Sequence, residues 1–201
     1  MSDKHASHIA TQGMRVVSSH EEKTAMRDQL LQHAVPLARD QYGCIALNAI
    51  LNDEAFAYCR DDLRDVVAFN ALSLSSDPYG NFVVQHVLQQ NIPRRRYEIG
   101  VRLRGQYVEL SSTRYGSRVV ESLLEKGETG PLVVAELLEC GSDTLMRLAT
   151  SEYGNFVVVA ALRVTPEDLF KGFVNKLKPF LHLLRRSFHG TTVAEIVESV
   201  R

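Results

Sequence analysis

Net charge is nearly absent from this 201-residue chain, in which 23 lysines and arginines stand against 24 aspartates and glutamates and leave −1. A uniformly basic polyanion-binding surface is excluded, although a local basic face is not, because the field follows arrangement as well as sum. Cysteine is scarce. Cys44, Cys59 and Cys140 show no metal-ligand spacing, and an odd, sparse count fits reduced thiols inside a cell. The N-terminus carries no secretory-type apolar segment, and no apolar run is long enough to span a bilayer. His86, His182 and His189 sit at no ligand spacing, and no histidine is placed to activate Cys44. The expectation is a soluble intracellular protein with no cofactor, no metal, no small-molecule substrate and no catalytic centre. Alternating strand patterns of useful length are missing too, which leaves helices.

What is present is a repeat. Tyr79-Gly80-Asn81-Phe82-Val83-Val84 recurs identically as Tyr153-Gly154-Asn155-Phe156-Val157-Val158. Related stretches stand at Tyr42-Gly43-Cys44, Tyr115-Gly116-Ser117 and His189-Gly190-Thr191, so the glycines are spaced by 37, 36, 38 and 36 residues. A fixed period in this range marks stacked helical units. The resulting units are about 21–53, 54–90, 91–127, 128–164 and 165–201. Gly13-Met14-Arg15-Val16-Val17-Ser18 suggests a half repeat over about 1–20.

Three residues before each glycine stand Asp40, Asp77, Thr113, Ser151 and Ser187, all preferred helix N-caps. Three, four and seven residues after it the side chains are small or branched and apolar, such as Val83, Val84 and Val87. That spacing is one buried helix face. Each glycine is therefore expected in a first helical turn where a neighbouring backbone or ligand comes close, since glycine there otherwise costs about 1 kcal/mol against alanine.

Longer helical patterns lie between. They are expected near Glu22–Ala38 and Glu54–Leu72, and from starts at Pro93, Pro131 and Pro166, each of the last three as one helix, with a capping box at Thr165–Asp168. Arg94-Arg95-Arg96 is expected to be a solvated charge run, and Arg102, Arg104, Lys176, Lys178, Arg185 and Arg186 likewise.

The residues one, two and five places after each glycine fall on one helix edge. They are Cys44, Ile45 and Asn48; Asn81, Phe82 and Gln85; Ser117, Arg118 and Glu121; Asn155, Phe156 and Val159; and Thr191, Thr192 and Glu195. Two hydrogen-bonding prongs beside a flat side chain suit an unstacked base. The amides of Asn81 and Gln85 can donate and accept, as the edge of uracil requires, whereas Glu121 accepts two N–H bonds, which guanine offers. Phe82, Phe156 and the Arg118 guanidinium can stack on base faces.

With its aromatic-Gly-(Asn/Ser/Cys)-x-Val-Val-(Gln/Glu) core at a period near 36, the chain resembles the Pumilio (PUF) family over residues 10–200. The resemblance implies an all-α, right-handed, armadillo-like α-solenoid of three-helix repeats, with residues 1–201 forming part of a Pumilio homology domain. It implies single-stranded mRNA as partner, bound antiparallel at about one base per repeat, and repressor or deadenylase proteins on the convex face. Asn81, Phe82 and Gln85 match a uracil reader, and Ser117, Arg118 and Glu121 a guanine reader. Asn155 and Phe156 match a second uracil reader with Val159 in place of glutamine, which gives a 5′-UGU core. Cys44 and Asn48 resemble an adenine reader with asparagine for glutamine. Met14, Arg15 and Ser18 match no base, and the last unit matches the capping repeat, which takes none. The implied function is cytoplasmic repression of translation or of mRNA stability. Two other readings stand beside it: an armadillo- or HEAT-like protein-binding scaffold, and a nucleolar relative that acts in ribosomal RNA processing.

Overall fold

The computed structural model describes residues 11–16, 19–125 and 127–199, and among them every regular element is a helix. Of the suggested half repeat, residues 1–10, Val17 and Ser18 lie outside the described residues. The chain forms two compact units, 1–102 and 103–201.

In the first unit, α1 (His20–Ala38), α2 (Gln41–Asn52), α3 (Ala57–Phe69), α4 (Ala71–Ser75) and α5 (Gly80–Gln89) are followed by α6 (Pro93–Leu103), whose last residue begins the second unit. The second unit continues with α7 (Tyr107–Ser111), α8 (Gly116–Glu125), α9 (Gly130–Glu139), α10 (Ser142–Thr150), α11 (Gly154–Val164), α12 (Glu167–Leu177), α13 (Leu181–Arg186) and α14 (Thr191–Glu198). Each repeat glycine opens or sits in the first turn of α2, α5, α8 and α11, and Gly190 immediately precedes α14. In the first unit α2 packs on α5; in the second, α8 packs on α11 and α11 on α14.

The apolar register decides this stacking. Ala46, Leu47 and Ile50 of α2, Val83, Val84 and Val87 of α5, and their counterparts in α8, α11 and α14 are all buried. Each large aliphatic side chain so buried contributes about 1.5–3 kcal/mol. The glycines let the backbones close up. A Cβ on Gly80 would lie 2.9 Å from the Leu74 carbonyl oxygen, and one on Gly154 2.8 Å from that of Leu148, so the close neighbour is backbone six residues earlier. Gly13 has nothing within 4 Å of that position and lacks this role.

Four of the five expected caps form. The Asp40 and Asp77 carboxylates and the Thr113 and Ser151 hydroxyls accept from the backbone N–H of their glycines. Ser187 instead donates to the Thr150 carbonyl at 3.5 Å. No capping box forms at Thr165, whose hydroxyl donates back to the Ala161 carbonyl at 2.6 Å. One forms at Ser19 and Glu22, and α1 starts there.

Of the long helices between the repeat cores, α1 runs unbroken and the four that follow are each broken in two. Asn70 separates α3 from α4; Gly105, at φ 81°, helps separate α6 from α7; Cys140 and Gly141 part α9 from α10; and a 3-10 turn at Lys178–Phe180 parts α12 from α13. A left-handed residue ends a helix, and glycine adopts it without a Cβ clash. The Glu136 carboxylate accepts from the Gly105 and Val108 N–H groups at 2.6 and 3.2 Å and so supplies the cap that Gln106 does not.

Several basic side chains are structural rather than solvated. Arg95 is buried between Asp65 and Glu98, and buried Arg96 donates to the Leu88 carbonyl. Lys176 donates to the Cys140 carbonyl beyond the end of α9, whereas Arg185 pairs with Glu198 and stays exposed, as the sequence suggests. Among the described residues no helix is long and apolar enough to cross a membrane, and no cluster of three metal-ligating side chains occurs.

Candidate nucleic-acid interface

The candidate interface begins with the residue after each glycine. Asn81, Ser117, Asn155 and Cys44 are 2%, 1%, 7% and 5% exposed. Each donates to the carbonyl of the residue three places earlier, in its own capping turn: Asn81 Nδ2 to Pro78, Ser117 Oγ to Arg114, Asn155 Nδ2 to Glu152, and Cys44 Sγ to Gln41. The asparagines use their second N–H as well, on the Asp77 and Ser151 carbonyls at 2.8 Å. These prongs are thus rooted in the turn with their donors committed. The sequence suggests an Asn81 amide free to donate; in the structure both its N–H groups are committed and its Oδ1 accepts from Gln85.

Four residues on, the prong is half-buried and longer. Gln85 Nε2 donates to Asn81 Oδ1 at 2.8 Å, which leaves Gln85 its second N–H and its Oε1. Donor and acceptor then stand side by side. Glu121 is organised differently: its Oε1 is buried without a hydrogen-bond partner, and its Oε2 lies 3.5 Å from the Arg118 guanidinium. Burial pushes its carboxyl pKa up, and the Arg118 charge only partly opposes that. An orphan buried carboxylate oxygen is costly unless a ligand supplies an N–H. Asn48 Oδ1 is a second buried acceptor with no partner. Val159 offers no hydrogen bond, so nothing on its own helix covers Asn155 as Gln85 covers Asn81.

The side chains between the prongs stand out from this edge, planar at Phe82 and Phe156 and aliphatic at Ile45. Ile45, Phe82 and Phe156 are 61%, 54% and 47% exposed, although they flank buried prongs. In the second unit the Arg118 guanidinium lies 5.3 Å from the Phe156 ring centroid, so the exposed side chains of neighbouring helices α8 and α11 adjoin. Within each unit the structure therefore brings the sequence-derived triplets together: Cys44–Asn48 beside Asn81–Gln85 in one, Ser117–Glu121 beside Asn155–Val159 in the other. Thr191, Thr192 and Glu195 of α14 are exposed at all three positions, unlike the rest.

His86, weighed from the sequence only as a metal ligand, belongs to the same edge. It lies four residues after Phe82, the spacing that reveals it, and its Nε2 is 3.0 Å from Asn52 Oδ1 at the end of α2. Burial and the Arg64 charge push its pKa down, which favours the neutral ring.

An all-α architecture with a regular edge of rooted polar groups, longer polar prongs and exposed neighbours defines a helical-repeat protein. The model of the Pumilio-family RNA binding repeat matches residues 33–52, 70–97 and 106–131. Pumilio homolog 18 of Arabidopsis thaliana is 52% identical over 99% of this chain and 61% of its own length, and Pumilio homolog 12 of the same plant is 32% identical over 84% and 28%. The chain belongs to the Pumilio (PUF) family. It spans about three fifths of the length of its more similar curated relatives. Its fold matches the crystal structure of PUF-8 in complex with PBE-RNA (TM-score 0.79, 20% identity, 99% of this chain and 59% of that one). It also matches the RNA-binding domain of yeast Puf5p bound to SMX2 RNA (TM-score 0.75, 18% identity, 96% and 51%).

Proposed function

We propose that this protein binds single-stranded RNA, one base against each reading triplet, with a preference for a 5′-UGU core in mRNA 3′ regions. The observation that carries the reading is Glu121. Its buried, partnerless oxygen and its Arg118-bound oxygen form a two-acceptor edge, and among the four bases guanine alone offers two N–H groups on its Watson–Crick edge. Gln85, with Asn81 behind it, offers the mixed donor and acceptor edge that uracil matches. Asn155, without a donor at Val159, takes the 5′ uracil with weaker discrimination. Phe82, Arg118 and Phe156 supply stacking, worth about 1–3 kcal/mol per base. Family membership supports the polarity, with RNA antiparallel to the chain. Structural relatives solved with RNA bound support the partner class.

On this reading the protein contributes recognition without chemistry. It acts in the cytoplasm to lower translation or stability of its targets, a placement that imaging of a tagged full chain checks. Filter binding with a UGU-containing RNA is expected to show tighter retention than with the guanine replaced by adenine. Equal retention of the two would remove the reading.

A further inference from the structure

A second surface lies on the outer helices of the first unit. A groove of about 840 Å3 runs between the C-terminal halves of α3 and α6 and contains no reading residue. The rim of α3 carries Asp65 and Phe69, and that of α6 carries Tyr97, Glu98, Val101 and Arg102. Phe69 is 69% exposed, Tyr97 50% and Val101 46%. These are solvent-face positions. Along α3, residues 61, 65 and 69 point outward at four-residue spacing while Leu63 and Val67 are buried, and on α6 Tyr97 and Val101 repeat that spacing over buried Ile99 and Leu103. A polar face serves a solvated outer helix, so adjoining exposed aromatics mark an interaction site.

The charges decide what the groove accepts. At one end Asp65 and Glu98 are held by Arg95, with Arg94 also on Glu98. That end needs no further cation, and its carboxylates repel phosphate. At the other end the Arg102 guanidinium stacks 4.3 Å from the Phe69 ring centroid and makes no ion pair among the described residues. An arginine on an aromatic face beside open apolar surface is the composition of a peptide-binding hot spot, where Tyr and Arg are enriched. We propose that this groove docks a linear segment of a partner protein, which lays an aliphatic or aromatic side chain between Phe69 and Tyr97 and sets a carboxylate on Arg102. The inference goes beyond RNA reading and uses none of the residues that carry it.

The test is selection of a random-peptide library on the full chain, with counter-selection on Phe69→Ala. Enriched peptides are expected to share a large apolar residue followed closely by Asp or Glu. Their affinity should fall about tenfold or more in Phe69→Ala and in Arg102→Glu, in line with the loss of a hot spot. Changing the peptide's acid to lysine should restore binding to Arg102→Glu only. RNA affinity should stay unchanged in both variants, which separates this inference from the proposed function. Failure to enrich any sequence that depends on Phe69 overturns the proposal. So does loss of RNA affinity in folded Phe69→Ala, which would make the groove part of the nucleic-acid surface. Concentration-dependent self-association of the wild type that Phe69→Ala abolishes would assign the groove to a second copy and overturn it as well.

Discussion

Glu121 concentrates the physics of the candidate edge. Its carboxylate is half-buried, has one partnerless oxygen, and has a pKa raised from the usual 4.5, chiefly by desolvation. A carboxyl whose folded-state pKa is raised holds its proton more tightly when folded. Its relative contribution to stability is full below the unfolded value and lost as pH rises through the folded value. Glu121→Gln should therefore leave thermal stability at neutral pH equal or improved, while the preference for guanine disappears; melting curves and RNA titrations read the two effects. In the wild type, guanine discrimination should fall as pH is lowered through the window just above 4.5, because the protonated acid can no longer accept two N–H bonds. At the neighbouring edge, Val159→Gln gives Asn155 the partner that Gln85 gives Asn81. It should sharpen uracil discrimination at that position by about 1–3 kcal/mol, measured by competition between U- and C-containing RNAs.

At the scale of the element, the glycine-led helices were legible because one rule fixes them. A capping residue, a glycine three places on and an apolar triplet recur in register, and Asp40, Asp77, Thr113 and Ser151 cap as their chemistry dictates. Gly154→Ala would put a Cβ 2.8 Å from the Leu148 carbonyl oxygen and should cost about 1–3 kcal/mol in denaturant unfolding, the usual range for overpacking. Gly13→Ala meets no neighbour and should cost nothing, which makes it the control. The outer helices were harder to read. Their apolar periodicity runs on through Gly105 and Gly141, so pattern alone suggests single helices, whereas the breaks depend on backbone geometry and on a carboxylate, Glu136, supplied from another helix. The burial of Arg95 and Arg96 was illegible for a like reason: their partners Asp65 and Leu88 are set by packing, not by local spacing.

For the whole molecule, the period near 36 was enough to reach an all-α repeat protein, and the triplets followed from helix geometry. What the spacing could not give was the orientation of each prong. Asn81 and Asn155 spend both amide hydrogens on their own turns, so on the proposed reading the specificity of a unit rests on the residue four places later and on what it leaves uncovered. The two proposals can be measured separately on the full chain: peptide docking at Phe69 and Arg102, and base reading by the triplets. The most direct measurement is RNA binding by the double variant Asn81→Ser with Gln85→Glu, against RNAs that differ at one base of the UGU core. The account predicts that preference at the 3′ position of the core moves from uracil to guanine, with the other two positions unchanged. Retained uracil preference there, or an equal change at all three positions, would contradict one-base-per-triplet reading.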